Sequence, residues 1–391
     1  MTQFFEFASL TWPEVEALPR QNPLVLPLGN GYPLHQLAEI LGNPPSVGVL
    51  PAFPFGWKGS GLMVLEPLLT DYLSNLLQNL RQDGFTRTYI LTPDDIDLGF
   101  GARQISLGLK RIPDGKLPPR SIPPDNQREK VLLIPVGHTE QHGHHLPLST
   151  DTIIIDAISQ GTVQQVAGQA WSLPVMPYGV STHRDSFPGT FNAGGRVFED
   201  FWVDVIDHLV ERGFDRFYFL SGHGGNVSFL VNVVKYCGER HRRIFCATSY
   251  LYLSGSEGVQ SIQKHRRSAS GGMGHACELE TSLILHLHPE LVHMQRAVDE
   301  MGFISTPSYY MDWIEGGALI ANPPWDDDTR TGAYGAGSLA TAKNGALWLE
   351  TAVQEKVSHV AEIHEQHLRR EERRRSGFGL WGKNRTHQAS R

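Results

Sequence analysis

Cysteine, long apolar runs and an excess of positive charge are scarce or missing in this sequence. Its 391 residues include only three cysteines and no CxxC pair, so neither a disulfide framework nor a thiolate zinc site is predicted. The N-terminal residues lack a basic segment followed by an apolar one, and no stretch reaches the roughly 18 apolar residues of a membrane span. We therefore expect a cytoplasmic protein with no membrane partner.

The charge balance argues against nucleic acid as a partner. The formal net charge is -7, whereas binding to phosphates depends on clustered Lys and Arg. With 40% hydrophobic and 19% charged residues, the composition is typical of a soluble globular protein. Histidine is the unusual component, with 18 occurrences, so imidazole chemistry is the first candidate for a function.

Strand-like and helix-like segments alternate along the chain. The apolar runs "VLLIPVG", "SLPVMPYG" and "RFYFLSG" each end in Gly, and amphipathic segments such as "FEDFWVDVIDHLVERG" separate them. This alternation predicts an α/β fold with a mostly parallel sheet, whose ligands bind beyond the carboxyl ends of the strands. Residues 111–128, rich in Pro and charge, read as a linker between units at 1–110 and 129–368, and residues 369–391 read as a charged tail.

The first unit resembles the first half of the second. Aligning Gly29 with Gly137 and Gly56 with Gly179 brings the same order of strand-like and helix-like segments into register. We interpret residues 1–110 as a degenerate, non-catalytic copy; the alternative is two unrelated segments that look alike. The alignment places Tyr32, Leu34, Pro93 and Asp94 opposite Glu140, His142, Gly222 and His223.

The stretch "PVGHTEQHGHHLPLSTD", residues 135–151, concentrates acids and imidazoles directly after an apolar run. Glu140 and His142 are two residues apart, so in extended backbone they project to the same side. Asp151 follows a turn that Gly143 and Pro147 favour. Two carboxylates and an imidazole suit Zn²⁺, Mn²⁺ or Fe²⁺. A polar surface loop is the competing interpretation.

Two later clusters follow at further strand ends. In "SGHGGN", the glycines around His223 permit a tight, positive-φ backbone and close approach to a ligand. In "GMGHACELETS", Glu278 and Glu280 begin a predicted helix and cannot share a face, because successive residues turn by about 100°. We expect one of them to be a metal ligand and the other to be a helix-start charge. We expect residues 181–194 to form a loop over the strand ends from which His183 contacts a substrate; a solvated loop histidine is the alternative.

Together these motifs resemble the creatininase family, also called creatinine amidohydrolases, over residues 131–360. The resemblance rests on "EQHGHHLPLSTD", "FPGTF", "GHGGN", "GHACELETS" and "TGAYGAGSLATAKNGA", with "LTWPEVEAL" near the N-terminus. It implies a three-layer α/β/α domain that binds one or two divalent metals and hydrolyses a non-peptide or unusual C–N bond. It also implies a homo-oligomer, a hexamer or smaller, and a small-molecule amide substrate.

The resemblance also implies roles for single residues. The metal ligands it implies are Glu140, His142, Asp151, His223 and Glu280, with Asp151 as the bridge. Creatininase has a glutamate ligand where this chain has Gly225, so creatinine itself is a doubtful substrate.

The expected mechanism is attack by metal-bound hydroxide. His275 is the expected general acid and base, and Glu140 is a second predicted catalytic residue. Lactone or phosphoester hydrolysis, or a non-enzymatic metal-stabilised protein, remain alternatives. The predicted substrate-binding residues are His183, Gly224, Gly225, Asn226 and Glu278, and specificity is also expected from the segment with Tyr309, Tyr310 and Trp313.

Overall fold

The computed structural model describes residues 1–108, 121–182, 186–314 and 316–376. The strands are β1 (Gln3–Glu6), β2 (Leu24–Pro27), β3 (Ser46–Val49), β4 (Thr88–Thr92), β5 (Gln104–Ser106), β6 (Val131–Val136), β7 (Ala170–Ser172), β8 (Arg216–Ser221), β9 (Phe245–Thr248), β10 (Met273–His275) and β11 (Tyr334–Gly335). The α-helices are α1 (Trp12–Ala17), α2 (Leu34–Ile40), α3 (Glu66–Gln82), α4 (Thr150–Gln165), α5 (Gly195–Glu211), α6 (Val227–Arg240), α7 (Ser256–His265), α8 (Glu278–Leu287) and α9 (Ala342–Arg375).

The second unit is built on a parallel sheet with strand order β7-β6-β8-β9. The central strands β6 and β8 are buried along their whole length, as expected for parallel strands covered on both faces. Helices α5 and α6 pack on one face, whereas α4, α8 and α9 pack on the other. This is the predicted three-layer α/β/α arrangement.

The first unit has a parallel sheet of its own, with strand order β1-β3-β2-β4-β5. Helix α3 covers one face of this sheet and α2 contributes to the cluster on the other. The core that includes α3 is continuous with the core around α5, so the two units share one hydrophobic interior. On the pseudo-equivalent helices, Tyr72 and Phe201 meet edge to face with ring centroids 5.1 Å apart.

The two sheets have the same strand order and direction once β1 is set aside. With Gly29 aligned to Gly137, β2 pairs with β4 in the register in which β6 pairs with β8. The Gly29 amide donates to the Phe53 carbonyl and the Gly137 amide to the Met176 carbonyl, each at 2.9 Å. Helices α3 and α5 each span 17 residues. The correspondence is geometric, and the origin of the first unit as a degenerate copy stays a hypothesis.

The N-terminal segment crosses to the second unit. The Leu148 and Ser149 amides donate to the carbonyls of Leu10 and Ala8 at 2.9 and 3.0 Å, and the Trp12 indole donates to the Thr331 carbonyl at 2.8 Å. The segment therefore supports the turn that leads into α4, although in the sequence it lies between β1 and β2 of the first sheet.

The structure describes part of the predicted linker and part of the predicted tail. Of the linker, residues 121–128 are described, and there the Ser121 carbonyl accepts the Trp171 indole N–H at 2.8 Å. Helix α9 continues to Arg375, so the first residues of the predicted tail are helical, and the rest of the tail lies outside the described residues. In the described part of the chain, no helix combines the length and apolarity needed to cross a bilayer.

Candidate metal centre

The first strand-end cluster folds into a closed turn between β6 and α4. Glu140 and His142 follow β6, Gly143 has the left-handed φ of +61° that such a turn needs, and the Glu140 amide donates to the Leu148 carbonyl at 3.0 Å. Asp151 lies in the first turn of α4, where the helix dipole favours a negative charge. The turn thus brings Asp151 close to Glu140 and His142.

His223 follows β8, the strand next to β6. The expected positive φ around it is wrong, because Gly222, Gly224 and Gly225 lie outside the left-handed region. At two of these positions a side chain would not fit. A Cβ at Gly222 would lie 2.5 Å from the Asp151 carbonyl oxygen, and one at Gly225 would lie 2.4 Å from His223 Nε2. The predicted close approach is therefore between parts of the site itself.

Helix α8 separates Glu278 from Glu280, as the helical geometry predicted. Glu280 Oε1 lies 4.0 Å from His142 Nε2. The Glu278 carboxylate instead accepts the amides of Arg267 and Ser268 at 2.7 to 3.0 Å. Glu278 is not among the described residues that line the cavity beside the cluster, and loop amides occupy its oxygens; its substrate contact stays a prediction.

The buried donors form two adjacent groups. In one, His223 Nδ1 lies 2.8 Å from Glu140 Oε1 and 3.2 Å from Asp151 Oδ2. In the other, His142 Nε2 lies 3.1 Å from Asp151 Oδ1, with Glu280 beyond it. Asp151 presents one oxygen to each group, and sets of three such donors lie within 4.8 Å of one another.

Backbone contacts orient the two imidazoles. His223 Nε2 lies 3.1 Å from the Val180 carbonyl and His142 Nδ1 lies 3.2 Å from the Glu140 carbonyl. Because a carbonyl only accepts, each of these nitrogens carries the hydrogen, and the opposite ring nitrogen of a neutral imidazole directs a lone pair at carboxylate oxygens. Glu140 Oε1 and Asp151 Oδ2 also have no partner with hydrogen-bond geometry. The arrangement needs a proton or a cation between these atoms.

The raised pKa values of the two imidazoles also indicate that the carboxylates favour a positive charge at this position. Burial alone would lower the pKa of His223, but Glu140 and Asp151 outweigh it and raise that pKa to about 10. The carboxylates around His142, Asp151 first, likewise overcome burial and raise its pKa to about 9. Burial raises the pKa of Glu280 to about 7. A divalent cation with nitrogen and oxygen preferences fits this donor set.

His275 lies at the boundary between the cluster and a cavity of about 660 Å³. Its Nε2 donates to the Gln141 carbonyl at 2.7 Å, which leaves Nδ1 as the lone-pair nitrogen, 3.7 Å from Glu140 Oε1. Trp325 packs against this ring in a T-shaped arrangement, with centroids 4.8 Å apart. Burial holds the pKa of His275 well below its usual range.

The predicted substrate-binding residues divide into three outcomes. Gly224 and Gly225 line the cavity. Asn226 is not among the described lining residues: its Oδ1 accepts the Val180 amide at 2.9 Å and its Nδ2 donates to the Gly137 carbonyl at 3.1 Å, so its amide joins the segments that follow β6 and β7, and its substrate contact stays a prediction. His183 lies outside the described residues.

The structure adds His138, which the sequence reasoning missed. Its ring stacks on His223 with centroids 4.4 Å apart, and its donor atoms group with Glu140 and His223. However, His138 Nδ1 accepts the Gly179 amide at 2.9 Å. The other nitrogen therefore carries the hydrogen, and His138 is not oriented as a metal ligand. Its place in the "GHTEQH" stretch was the available signal.

Comparison with known proteins assigns the chain to a family. The family model described as creatinine amidohydrolase matches residues 120–360, more than half of the chain. The chain belongs to the creatininase family.

The mycofactocin precursor peptide peptidase of Mycobacterium ulcerans is 31% identical over 243 residues, which cover 59% of this chain and 84% of that relative. The creatinine amidohydrolase of Pseudomonas putida is 27% identical over 247 residues, covering 57% and 86%. A solved structure described as Creatininase Mn matches with a TM-score of 0.51 and 25% identity, covering 61% of this chain and 92% of that one.

The family, the mostly parallel α/β fold and the class of metal-dependent hydrolase predicted from the sequence are therefore confirmed.

Proposed function

We propose that the buried cluster holds one or two divalent cations, Zn²⁺, Mn²⁺ or Fe²⁺, and that the protein hydrolyses an amide C–N bond other than an ordinary peptide bond. The orientation of the imidazoles carries the proposal. His223 Nδ1 and His142 Nε2 direct lone pairs at carboxylate oxygens over 2.8 to 3.2 Å, where only a proton or a cation removes the repulsion.

The two donor groups define the proposed ligands. Glu140 and His223 would hold one ion, and His142 and Glu280 the other. Asp151 would bridge them, because one of its oxygens belongs to each group. When bound, such cations activate water near neutral pH and polarise a carbonyl group.

The chain's own residues supply proton transfer. His275 lines the cavity beside the cluster, and the bond from Nε2 to the Gln141 carbonyl fixes the ring. We assign His275 the transfer of a proton: Nδ1, which carries a lone pair, takes the proton that the attacking water loses and delivers it to the leaving nitrogen, because an amine anion is a poor leaving group. Glu140, 3.7 Å away, is the neighbouring carboxylate that can exchange this proton.

The substrate differs from creatinine in this proposal. A Cβ at Gly225 would lie 2.3 Å from the Val180 carbonyl oxygen, so the backbone here leaves no room for the glutamate found in creatininase. The cavity of about 660 Å³ falls in the range of about 300–1,000 Å³ that holds drug-sized ligands. A small-molecule amide, cyclic amide or formamide is the first candidate.

A modified peptide is the second candidate. It is favoured by the 31% identity to a mycofactocin precursor peptide peptidase over 84% of that protein. Both candidates use the same donors, and they differ only in what occupies the cavity.

Metal analysis followed by a substrate screen tests the proposal. We expect the purified protein to retain one or two equivalents of divalent metal, and chelation followed by readdition of Mn²⁺ or Zn²⁺ to abolish and restore amide hydrolysis. The screen should contain formamides, lactams, creatinine and peptides with modified termini, with lactones and phosphoesters as the competing classes. A protein that binds no divalent metal would contradict the proposal. The predicted homo-oligomer is checked by sedimentation on the same sample.

A further inference from the structure

The cavity beside the cluster has one wall that is rigid and apolar. Trp313 lines it, donates its indole N–H to the Tyr252 carbonyl at 3.1 Å and packs on the Tyr252 ring with centroids 4.8 Å apart. The preceding residue, Asp312, is buried and binds both terminal nitrogens of Arg266 at 2.9 and 3.1 Å. The wall is therefore held in place without a ligand.

Charge is confined to the end of the cavity at the cluster. Among the described lining residues none is Lys or Arg, and Asp312 is the one acid outside the proposed metal centre. Because Arg266 pairs with Asp312, the described lining residues between Trp313 and the cavity mouth carry no unpaired charge. Such a surface favours an uncharged, apolar group.

Apolar side chains continue to the mouth of the cavity. Ile320 and Tyr250 line it although they are 94% and 55% exposed. An isolated exposed apolar residue is ordinary, but these two line the same cavity as Trp313 and Met311. A ligand that reaches from the cluster to the mouth would bury them.

We infer that the substrate carries an extended apolar group, alkyl or aromatic, next to the scissile amide, and that Trp313, Tyr250 and Ile320 select it. This inference rests on the proposed function, because the cluster defines where the amide lies. The apolar group then runs along the Trp313 wall and leaves past Ile320.

A series of alkyl hydroxamates tests the inference through binding rather than turnover. Hydroxamates chelate divalent metals, so acetohydroxamate, butanohydroxamate and octanohydroxamate share one anchor and differ in chain length. Dissociation constants for the Mn²⁺-loaded protein are measured by tryptophan fluorescence. We expect Kd to fall about fourfold for each methylene that enters the cavity, which corresponds to about 0.8 kcal/mol.

Two exposed residues make a matched pair of variants. Ile320→Ser should weaken octanohydroxamate about three- to tenfold and leave acetohydroxamate within twofold. The control is Leu319→Ser, because Leu319 is 61% exposed but does not line the cavity, and it should change neither constant. Neither substitution disturbs a buried side chain, so folding should persist.

The outcomes separate the two proposals. Metal-dependent binding of acetohydroxamate with no gain from chain length, or an equal loss in both variants, overturns the inference and leaves the metal centre intact. Failure of every hydroxamate to bind the metal-loaded protein overturns the proposed function and the inference with it. A chain-length gain that Ile320→Ser alone reduces supports both.

Discussion

The two sheet units share a scaffold and differ in chemistry. Both have the same parallel strand order and the same register between their central strands. Where the second unit has Glu140 and His223, the first has Tyr32 and Asp94. Tyr32 donates its hydroxyl to the Leu28 carbonyl at 2.7 Å, and burial, with the charge of Asp94, raises its pKa. The counterpart positions remain neighbours but lack a ligand set.

This difference shows that scaffold and site depend on different residues. Register follows from apolar strands and from glycines that allow main-chain contact, such as Gly29 and Gly137, and both units retain these. The site depends on a few side chains beyond the strand ends. In the first unit, Trp57 packs on Gly29, 3.3 Å from where a Cβ would lie, whereas Thr152 of α4 occupies the corresponding space beside Gly137.

Asp151→Asn should have the largest effect, because it would leave the second unit, like the first, without a complete set of metal ligands. The substitution removes the charge shared by both donor groups. Changes around metal ligands already cost about 10–100-fold in affinity, so we expect more than about 100-fold weaker metal binding and loss of turnover. Metal content after dialysis, measured by mass spectrometry, checks this. Asp94→Asn is the matched control, and an equal effect there would refute the division of roles.

His275→Asn should lower kcat by about 10²–10⁴-fold, the usual contribution of general acid–base catalysis. Metal content should remain that of the wild type, because the assigned role is proton transfer. Steady-state kinetics on the substrate identified by the screen, together with metal analysis, separates the two effects. Unchanged kcat would remove His275 from the mechanism.

Glu278→Gln should lower the free energy of unfolding by about 2 kcal/mol, because a charged acceptor of the Arg267 and Ser268 amides is lost. Metal content should not change. Glu280→Gln is the matched variant and should show the opposite pattern, with weaker metal binding and an intact fold. Chemical denaturation and metal analysis on both proteins test the assignment, and metal loss in Glu278→Gln would reverse it.

Tyr72→Phe should have the smallest effect, about 1 kcal/mol, because it removes one buried hydrogen bond, from the Tyr72 hydroxyl to the Tyr178 carbonyl at 2.8 Å. The substitution gives α3 the residue type that α5 has at the equivalent position, Phe201. Since both units share one core, we expect the whole unfolding transition to shift. Thermal unfolding followed by far-UV circular dichroism checks this, and a separate early transition of one unit would show that the cores are independent.

Local chemistry made much of the molecule predictable from sequence. Apolar runs ending in Gly determine where β6 and β8 lie, and parallel strands bring their carboxyl ends to one edge. Glu140, His142 and His223 therefore had to be neighbours. The 100° turn per residue separated Glu278 from Glu280, but it did not say which of them faces the cluster.

Only the tertiary structure decided the remaining assignments, because they depend on partners distant in the chain. The Glu278 carboxylate accepts hydrogen bonds from loop amides. The Asn226 side chain is hydrogen-bonded to Val180 and Gly137, and the Gly179 amide sets the tautomer of His138. The crossing of the N-terminal segment onto the Leu148 turn and the packing of Trp325 on His275 likewise have no local signal. Residue type and spacing determined which groups could act, and long-range hydrogen bonds and packing determined which of them are free to do so.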